Sequence, residues 1–75
     1  MLSDFAIKFG TVQVGYGFEC EKNDGKRYDG HIVKVAAYNR GTLVTIRWDD
    51  DEGPNHRSIY LEDCKEWYTE EPVTI

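Results

Sequence analysis

Apolar and polar residues alternate with a period of two along most of the chain, which is typical of strands that bury one face. Phe18 and Cys20 alternate with two glutamates, and the β-branched and aromatic run 43–48 is the strongest strand signal in the sequence. Three further strands are predicted around Tyr28, Ile32 and Val35, from Arg57 to Leu61, and around Trp67 and Tyr68.

Turn signals separate these predicted strands. Residues 23–25 read Asn-Asp-Gly, and Asp-Gly supplies the positive φ that a tight hairpin turn requires. Residues 39–41 predict the next turn, and residues 49–55 predict a polar loop. Gly30 is expected to form a bulge or bend inside the second strand. Residues 61–64 are expected to form a single helical turn.

Five short strands joined by tight turns predict one all-β domain, a small antiparallel barrel whose closure would remove exposed edges. The expected organisation is an N-terminal extension over residues 1–14, a barrel over 15–68 and a tail over 69–75. Phe5, Ile7 and Phe9 alternate within the extension, which is expected to add a strand or to cover an open end. The 75 residues are enough for one domain.

Composition and charge narrow the class of protein. A hydrophobic fraction of 40% excludes wholesale disorder, and no apolar run approaches the ~20 residues of a membrane helix. The first ten residues contain Asp4 and no positive segment of the signal-peptide kind, so we expect a soluble intracellular protein. Cys20 and Cys64 lack metal-finger spacing and are expected to be small buried thiols.

The order of these features resembles the SH3-like small barrels of the Tudor, chromo-barrel and KOW-type family. The matching features run in order from a glycine and a strand, through an Asp-Gly turn, a Tyr-x-Gly segment and a strand ending in an aromatic and acidic residues, to a helical turn. They are Gly15, Phe18, Cys20, Asp24, Gly25, Tyr28, Gly30, Ile46, Trp48, Asp49, Asp50, Leu61, Glu62 and Asp63. The resemblance covers about two thirds of the chain. It implies a five-stranded barrel that binds peptides or nucleic acids.

Some members of that family hold methylated lysine or arginine in a cage of aromatic rings by cation–π attraction. Tyr28 and Trp48 stand where two cage aromatics would be. A third cage position is occupied by Lys22, and the fourth lies near His56 and Arg57. Bases at two of the four positions would repel a cationic ligand. Packing of Tyr28 and Trp48 within the domain is therefore favoured over a role for them in reading methylated lysine or arginine.

An acidic run follows the strongest strand and has three alternative interpretations. Its members are Asp49, Asp50, Asp51 and Glu52. Adjacent carboxylates repel one another and normally remain solvated. A divalent metal site is the second alternative, although the spacing is not that of an EF-hand loop. The third is charge complementarity to a basic partner, which raises association rates more than affinity.

Nucleic-acid binding is an alternative function. A strip of cations with an aromatic residue among them could contact phosphates and stack on bases. Its members are Lys22, Lys26, Arg27 and Lys34, with Tyr28 between them. A net charge of −5 at pH 7 opposes this function, since the chain has fourteen aspartates and glutamates and only nine lysines and arginines.

Catalysis is not expected. His31 and His56 are the only histidines, and no serine or cysteine has a base at motif spacing. No cofactor motif is present either, and neither a catalytic site nor a metal site is predicted. The favoured hypothesis is a non-catalytic protein-interaction module, acting as an accessory subunit, adaptor or inhibitor of a larger complex. The predicted partner-binding residues are Tyr28, Trp48, Asp49, Asp50, Asp51 and Arg57.

Overall fold

The computed structural model describes residues 12–72, and nearly all of its regular structure is β-strand. A 3-10 turn at Leu61–Asp63 separates the last two strands of this described range. The strands are β1 Gly17–Lys22, β2 Arg27–Tyr38, β3 Gly41–Asp50, β4 Gly53–Tyr60 and β5 Cys64–Glu70. The predicted all-β class, the five strands and the helical turn are confirmed.

All five strands belong to one antiparallel sheet with the order β4-β3-β2-β1-β5. The first four strands form a meander of hairpins, and β5 then crosses the sheet to pair with β1. β4 and β5 are the two edges of this sheet, and no ladder joins them in the part of the chain that the structure describes. β5 also extends through Thr69 and Glu70, which pair with β1. These two residues were predicted to begin the C-terminal tail.

The core lies on one face of the sheet and includes Phe18 and Cys20, the alternating positions that the sequence predicted to be buried in β1. Its fully or nearly fully buried residues are Val12, Phe18, Cys20, Ile32, Val44, Ile46, Ile59 and Leu61. The ring of Phe18 stacks on Trp67 with 6.3 Å between centroids, so β1 and β5 are held together by side chains as well as by backbone hydrogen bonds. Tyr28 and Trp48 pack at the margin of this core.

The β1–β2 hairpin turns where the Asp-Gly signal predicted. Gly25 has a φ of +89°, a conformation that residues with a side chain rarely adopt. Its amide donates to the carbonyl oxygen of Lys22 at 2.9 Å, and the amide of Lys26 donates to Oδ1 of Asp24 at 2.9 Å. The aspartate therefore stabilises the turn through its own side chain.

Two local predictions need correction. The irregularity in β2 lies between Ile32 and Lys34, whereas Gly30 pairs regularly with Phe18. Residues 49–55 do not form a loop, because β3 continues through Asp50 and β4 begins at Gly53. Pro54 fits β4 because an edge strand tolerates a residue without an amide hydrogen.

The 3-10 turn is tied to the beginning of β3 by polar contacts. Oε1 of Glu62 accepts a hydrogen bond from the amide of Thr42 at 3.0 Å. The guanidinium of Arg40 pairs with the carboxylate of Asp63 at 3.0 Å and lies 4.5 Å from the centroid of the Tyr60 ring. These contacts hold the turn against the sheet just before the chain crosses to β5.

The Thr42 side chain is fully buried, and its hydroxyl has no hydrogen-bond partner among the described residues. We expect Thr42→Val to raise the free energy of unfolding by about 1 kcal/mol, because the buried hydroxyl loses its bonds to water on folding without replacement. Urea denaturation measures the change. Thr45→Val is the matched control and should not stabilise, since the Thr45 hydroxyl is bonded to Ser58 at 2.8 Å. Equal stabilisation by both variants would contradict this explanation.

Residues just before β1 contact the centre of the sheet. Val12 is buried. The amide of Gly15 donates to the carbonyl oxygen of Ile32, and the amide of Ile32 donates to the carbonyl oxygen of Tyr16. The predicted strand around Phe5, Ile7 and Phe9 falls outside the described residues. Over residues 12–72, no helix has the length and apolar character needed to cross a lipid bilayer.

Candidate functional site

Tyr28, Trp48 and Arg57 come from three strands and meet at one end of the core face. Ile46 pairs with Ile32 on one side and with Arg57 on the other. Trp48 lies two residues beyond Ile46, and Tyr28 lies four residues before Ile32. Because directly opposed residues share a face and alternate residues on a strand return to it, the three side chains lie on the same side of the sheet.

The three side chains are in contact with one another. The rings of Tyr28 and Trp48 have their centroids 6.2 Å apart at an angle of 48°. The guanidinium carbon of Arg57 lies 4.9 Å from the centroid of the Tyr28 ring, a cation–π contact. Both rings are half-buried and Arg57 is exposed. We call these three residues the aromatic–arginine patch.

Gly30 allows β2 and β3 to approach closely beside this patch. A Cβ at this position would lie 2.6 Å from the carbonyl oxygen of Arg47 and 3.5 Å from Cβ of Trp48. Real Cβ atoms do not approach a backbone oxygen so closely, so only glycine fits here without movement of the strands. Gly30 was predicted to be a special position, but the bulge expected there lies between Ile32 and Lys34, and the close approach of the two strands is what requires glycine.

The acidic run forms the tip of the β3–β4 hairpin, and its first two members already have local partners. Oδ1 of Asp49 accepts from the Arg47 guanidinium at 3.3 Å. Oδ2 of Asp50 accepts from Nδ2 of Asn55 at 2.9 Å, and its Oδ1 accepts from the amide of Glu52 at 2.8 Å. Asp50 therefore stabilises the hairpin beside the patch, whereas Asp49 belongs to the opposite face of β3.

Asp51 and Glu52 are exposed at the hairpin turn. They place two exposed acidic residues in the turn that joins β3, which carries Trp48, to β4, which carries Arg57. No group of three or more histidine, cysteine or acidic side chains is placed to hold a metal ion within residues 12–72.

The structure does not gather the predicted nucleic-acid strip into one surface. Lys22 and Lys26 flank the β1–β2 turn, where the amide of Lys22 donates to the carbonyl oxygen of Lys26. The guanidinium of Arg27 pairs with Glu21 at 3.1 Å on the outer face of the sheet. Lys34 lies further along β2, opposite Thr45.

The outer face of β1, β2 and β5 carries a group of acidic residues that was not predicted. Glu19 pairs directly with Asp29, and Glu21 with Glu66, so carboxylates oppose each other across two ladders, while Arg27 and Lys65 lie 3.1 and 4.0 Å from the Glu21 carboxylate. Tyr68, which is 58% exposed, lies with these residues around a groove of about 280 Å³. Like charges in direct opposition destabilise a sheet. Alternation placed Glu19 and Glu21 outward, but the pairing register that brings the acids together is not readable from one sequence.

Comparisons with protein-family models, curated proteins and solved structures found no match to this chain.

Proposed function

We propose that this chain is a non-catalytic protein-interaction module that binds a protein partner through the aromatic–arginine patch, with the tip of the acidic hairpin at its rim. The observation that supports this proposal is the convergence of Tyr28, Trp48 and Arg57, three side chains from separate strands, on one partly exposed surface. Tryptophan, tyrosine and arginine are the residue types that most often dominate the binding energy of protein interfaces.

The arrangement of Arg57 suits recognition of a protein. Stacking on Tyr28 limits the conformations of the side chain, which reduces the entropy lost when it binds. Within residues 12–72, no ion pair joins Arg57 to a carboxylate. Its guanidinium can therefore donate to acceptors on a partner, while the apolar surface of Trp48 packs beside it.

The same contact argues against a reader of methylated lysine. Arg57 covers one face of the Tyr28 ring, which a cage would offer to the ligand. A methylammonium group would have to displace a cation that is part of the protein or bind next to it. Both alternatives lower the affinity for cationic side chains.

For the fold, we propose that the sheet is an SH3-like, Tudor-like small barrel. Two features support it: β5 returns to pair with β1, and the 3-10 turn immediately precedes β5, as the family resemblance implies. A barrel of this size would act inside the cell as an accessory subunit, adaptor or inhibitor of a larger assembly.

The proposal is tested by affinity capture from a lysate of the source cells, before and after nuclease treatment. The baits are the wild type, Arg57→Glu and Arg47→Glu, each confirmed as folded by circular dichroism. The two variants change net charge equally, but Arg47 points to the opposite face of the sheet. We expect a nuclease-resistant protein that the wild type and Arg47→Glu retain and that Arg57→Glu loses.

Two outcomes would contradict the proposal. Material that disappears after nuclease treatment would indicate nucleic-acid binding. A protein that both variants retain equally would place the interface away from the patch.

A further inference from the structure

Cys20 and Cys64 are distant in the sequence but adjacent in the β1–β5 ladder. Cys64 lies opposite Lys22, which is two positions from Cys20, so the cysteines are diagonal neighbours. At this point β5 has an extra residue, Lys65, because Glu21 pairs with Glu66 and Lys22 with Cys64. Cys20 lies in the core and Cys64 packs against it, and the Cys64 thiol donates a hydrogen bond to the carbonyl oxygen of Tyr60 at 3.5 Å.

We propose that Cys20 and Cys64 are a reversible modification site, at which a low-molecular-weight disulfide such as oxidised glutathione converts the two thiols into an internal disulfide. The diagonal placement brings both side chains to the same face of the sheet, and because diagonal neighbours lie about 7–8 Å apart, closing the bond requires a small shift of β5 at its extra residue. This inference is independent of the proposed protein-binding function.

The reaction begins at Cys64, which is half-buried, whereas Cys20 is only 4% exposed. The Cys64 thiolate attacks one sulfur of oxidised glutathione, forms a mixed disulfide and releases one glutathione thiolate. The Cys20 thiolate then attacks the Cys64 sulfur, forms the internal disulfide and releases the second glutathione. The protons lost by the two cysteines are taken up by the two glutathione thiolates. The protein is oxidised by two electrons, and one glutathione disulfide is reduced.

The environment of the pair makes this reaction slow near neutral pH. Burial, together with the neighbouring Cys20 thiol, raises the pKa of Cys64 to about 12, and burial also raises the pKa of Cys20. Because only the thiolate attacks, the rate of oxidation should rise about tenfold for each pH unit below these pKa values. The site thus resists brief exposure to oxidant and responds to sustained exposure.

The disulfide would form next to the aromatic–arginine patch. Cys20 pairs directly with Tyr28 across the β1–β2 ladder. A bond from Cys20 to Cys64 would join β1 to the start of β5, and it would close a long loop of the chain in the unfolded state. We expect it to raise the melting temperature by about 10 °C.

The test is incubation of the purified full chain with oxidised glutathione, followed by intact mass spectrometry, peptide mapping without reduction and thermal denaturation. We expect a monomeric product lighter by two hydrogen atoms, a linked peptide pair containing both cysteines, and reversal by dithiothreitol. Repeating the reaction at higher pH should raise its rate about tenfold for each pH unit. The Cys20→Ala variant should instead stop at a stable glutathione adduct on Cys64.

Three results from the wild-type chain itself would overturn the proposal. The test therefore does not depend on whether a variant folds. They are a stable glutathione adduct on Cys64 without an internal disulfide, a dimer linked through Cys64, and no modification over a time in which the urea-unfolded chain is fully oxidised.

Discussion

Gly30→Ala is expected to lower the free energy of unfolding by about 3 kcal/mol, enough to unfold a large part of so small a domain. The new methyl group would lie 2.6 Å from the carbonyl oxygen of Arg47, and a backbone atom cannot move aside as a flexible side chain can. Relief would require β2 and β3 to separate where Tyr28 and Trp48 meet. The substitution should therefore damage the fold and the patch together.

Gly17→Ala is the matched control for this substitution. Gly17 also lies in a paired strand, but a Cβ there would meet its nearest neighbour, Cβ of Glu70, at 3.6 Å, which is ordinary contact. We expect a change below about 1 kcal/mol. Urea denaturation monitored by tryptophan fluorescence compares the two variants. Equal losses would show that the close approach of β2 and β3 is not what requires glycine at position 30.

Trp48→Ala is expected to weaken binding of the captured partner about thirtyfold or more, because a tryptophan at the centre of an interface commonly contributes at least 2 kcal/mol. The fold should survive, since the fully buried side chains of β3 are those of Thr42, Val44 and Ile46, while Trp48 lies at the core margin. Isothermal titration calorimetry measures the affinity, and thermal denaturation measures the stability of the same sample.

Trp67→Ala separates loss of binding from loss of stability. Trp67 is also half-buried and packs on the core, but it stacks on Phe18 rather than on the patch. This variant should lose stability and keep most of its affinity while it remains folded. If Trp67→Ala reduces affinity as much as Trp48→Ala does, then the effect comes from the fold and not from a surface at Trp48.

The sequence predicted the strands whose burial alternates cleanly and missed the parts of strands that carry little apolar signal. Phe18 and Cys20 in β1, and Val44 and Ile46 in β3, report directly which face is buried. The first half of β4 is polar and contains Pro54, so its pairing with β3 left no period-two pattern to detect. Pairing with a neighbouring strand, not local propensity, makes this segment a strand.

The site was predicted in its residues but not in its arrangement. Tyr28 and Trp48 were identified through a family resemblance, and Arg57 as a nearby base. Their contact depends on the register that places Ile46 between Ile32 and Arg57, which one sequence does not specify. Asp49 and Asp50 lie on opposite faces of the sheet because β3 continues through both residues, whereas the strand was predicted to end at Trp48.

Amide hydrogen exchange of the chain with and without its captured partner tests the central claim most directly, since it maps the contact surface without a substitution. If the partner covers the aromatic–arginine patch, exchange should slow at the start of β2 and across the β3–β4 hairpin, while β5 remains unchanged. Slowing confined to β1 and β5, with the β3–β4 hairpin unaffected, would contradict the account and place the interface on the acidic outer face around Tyr68.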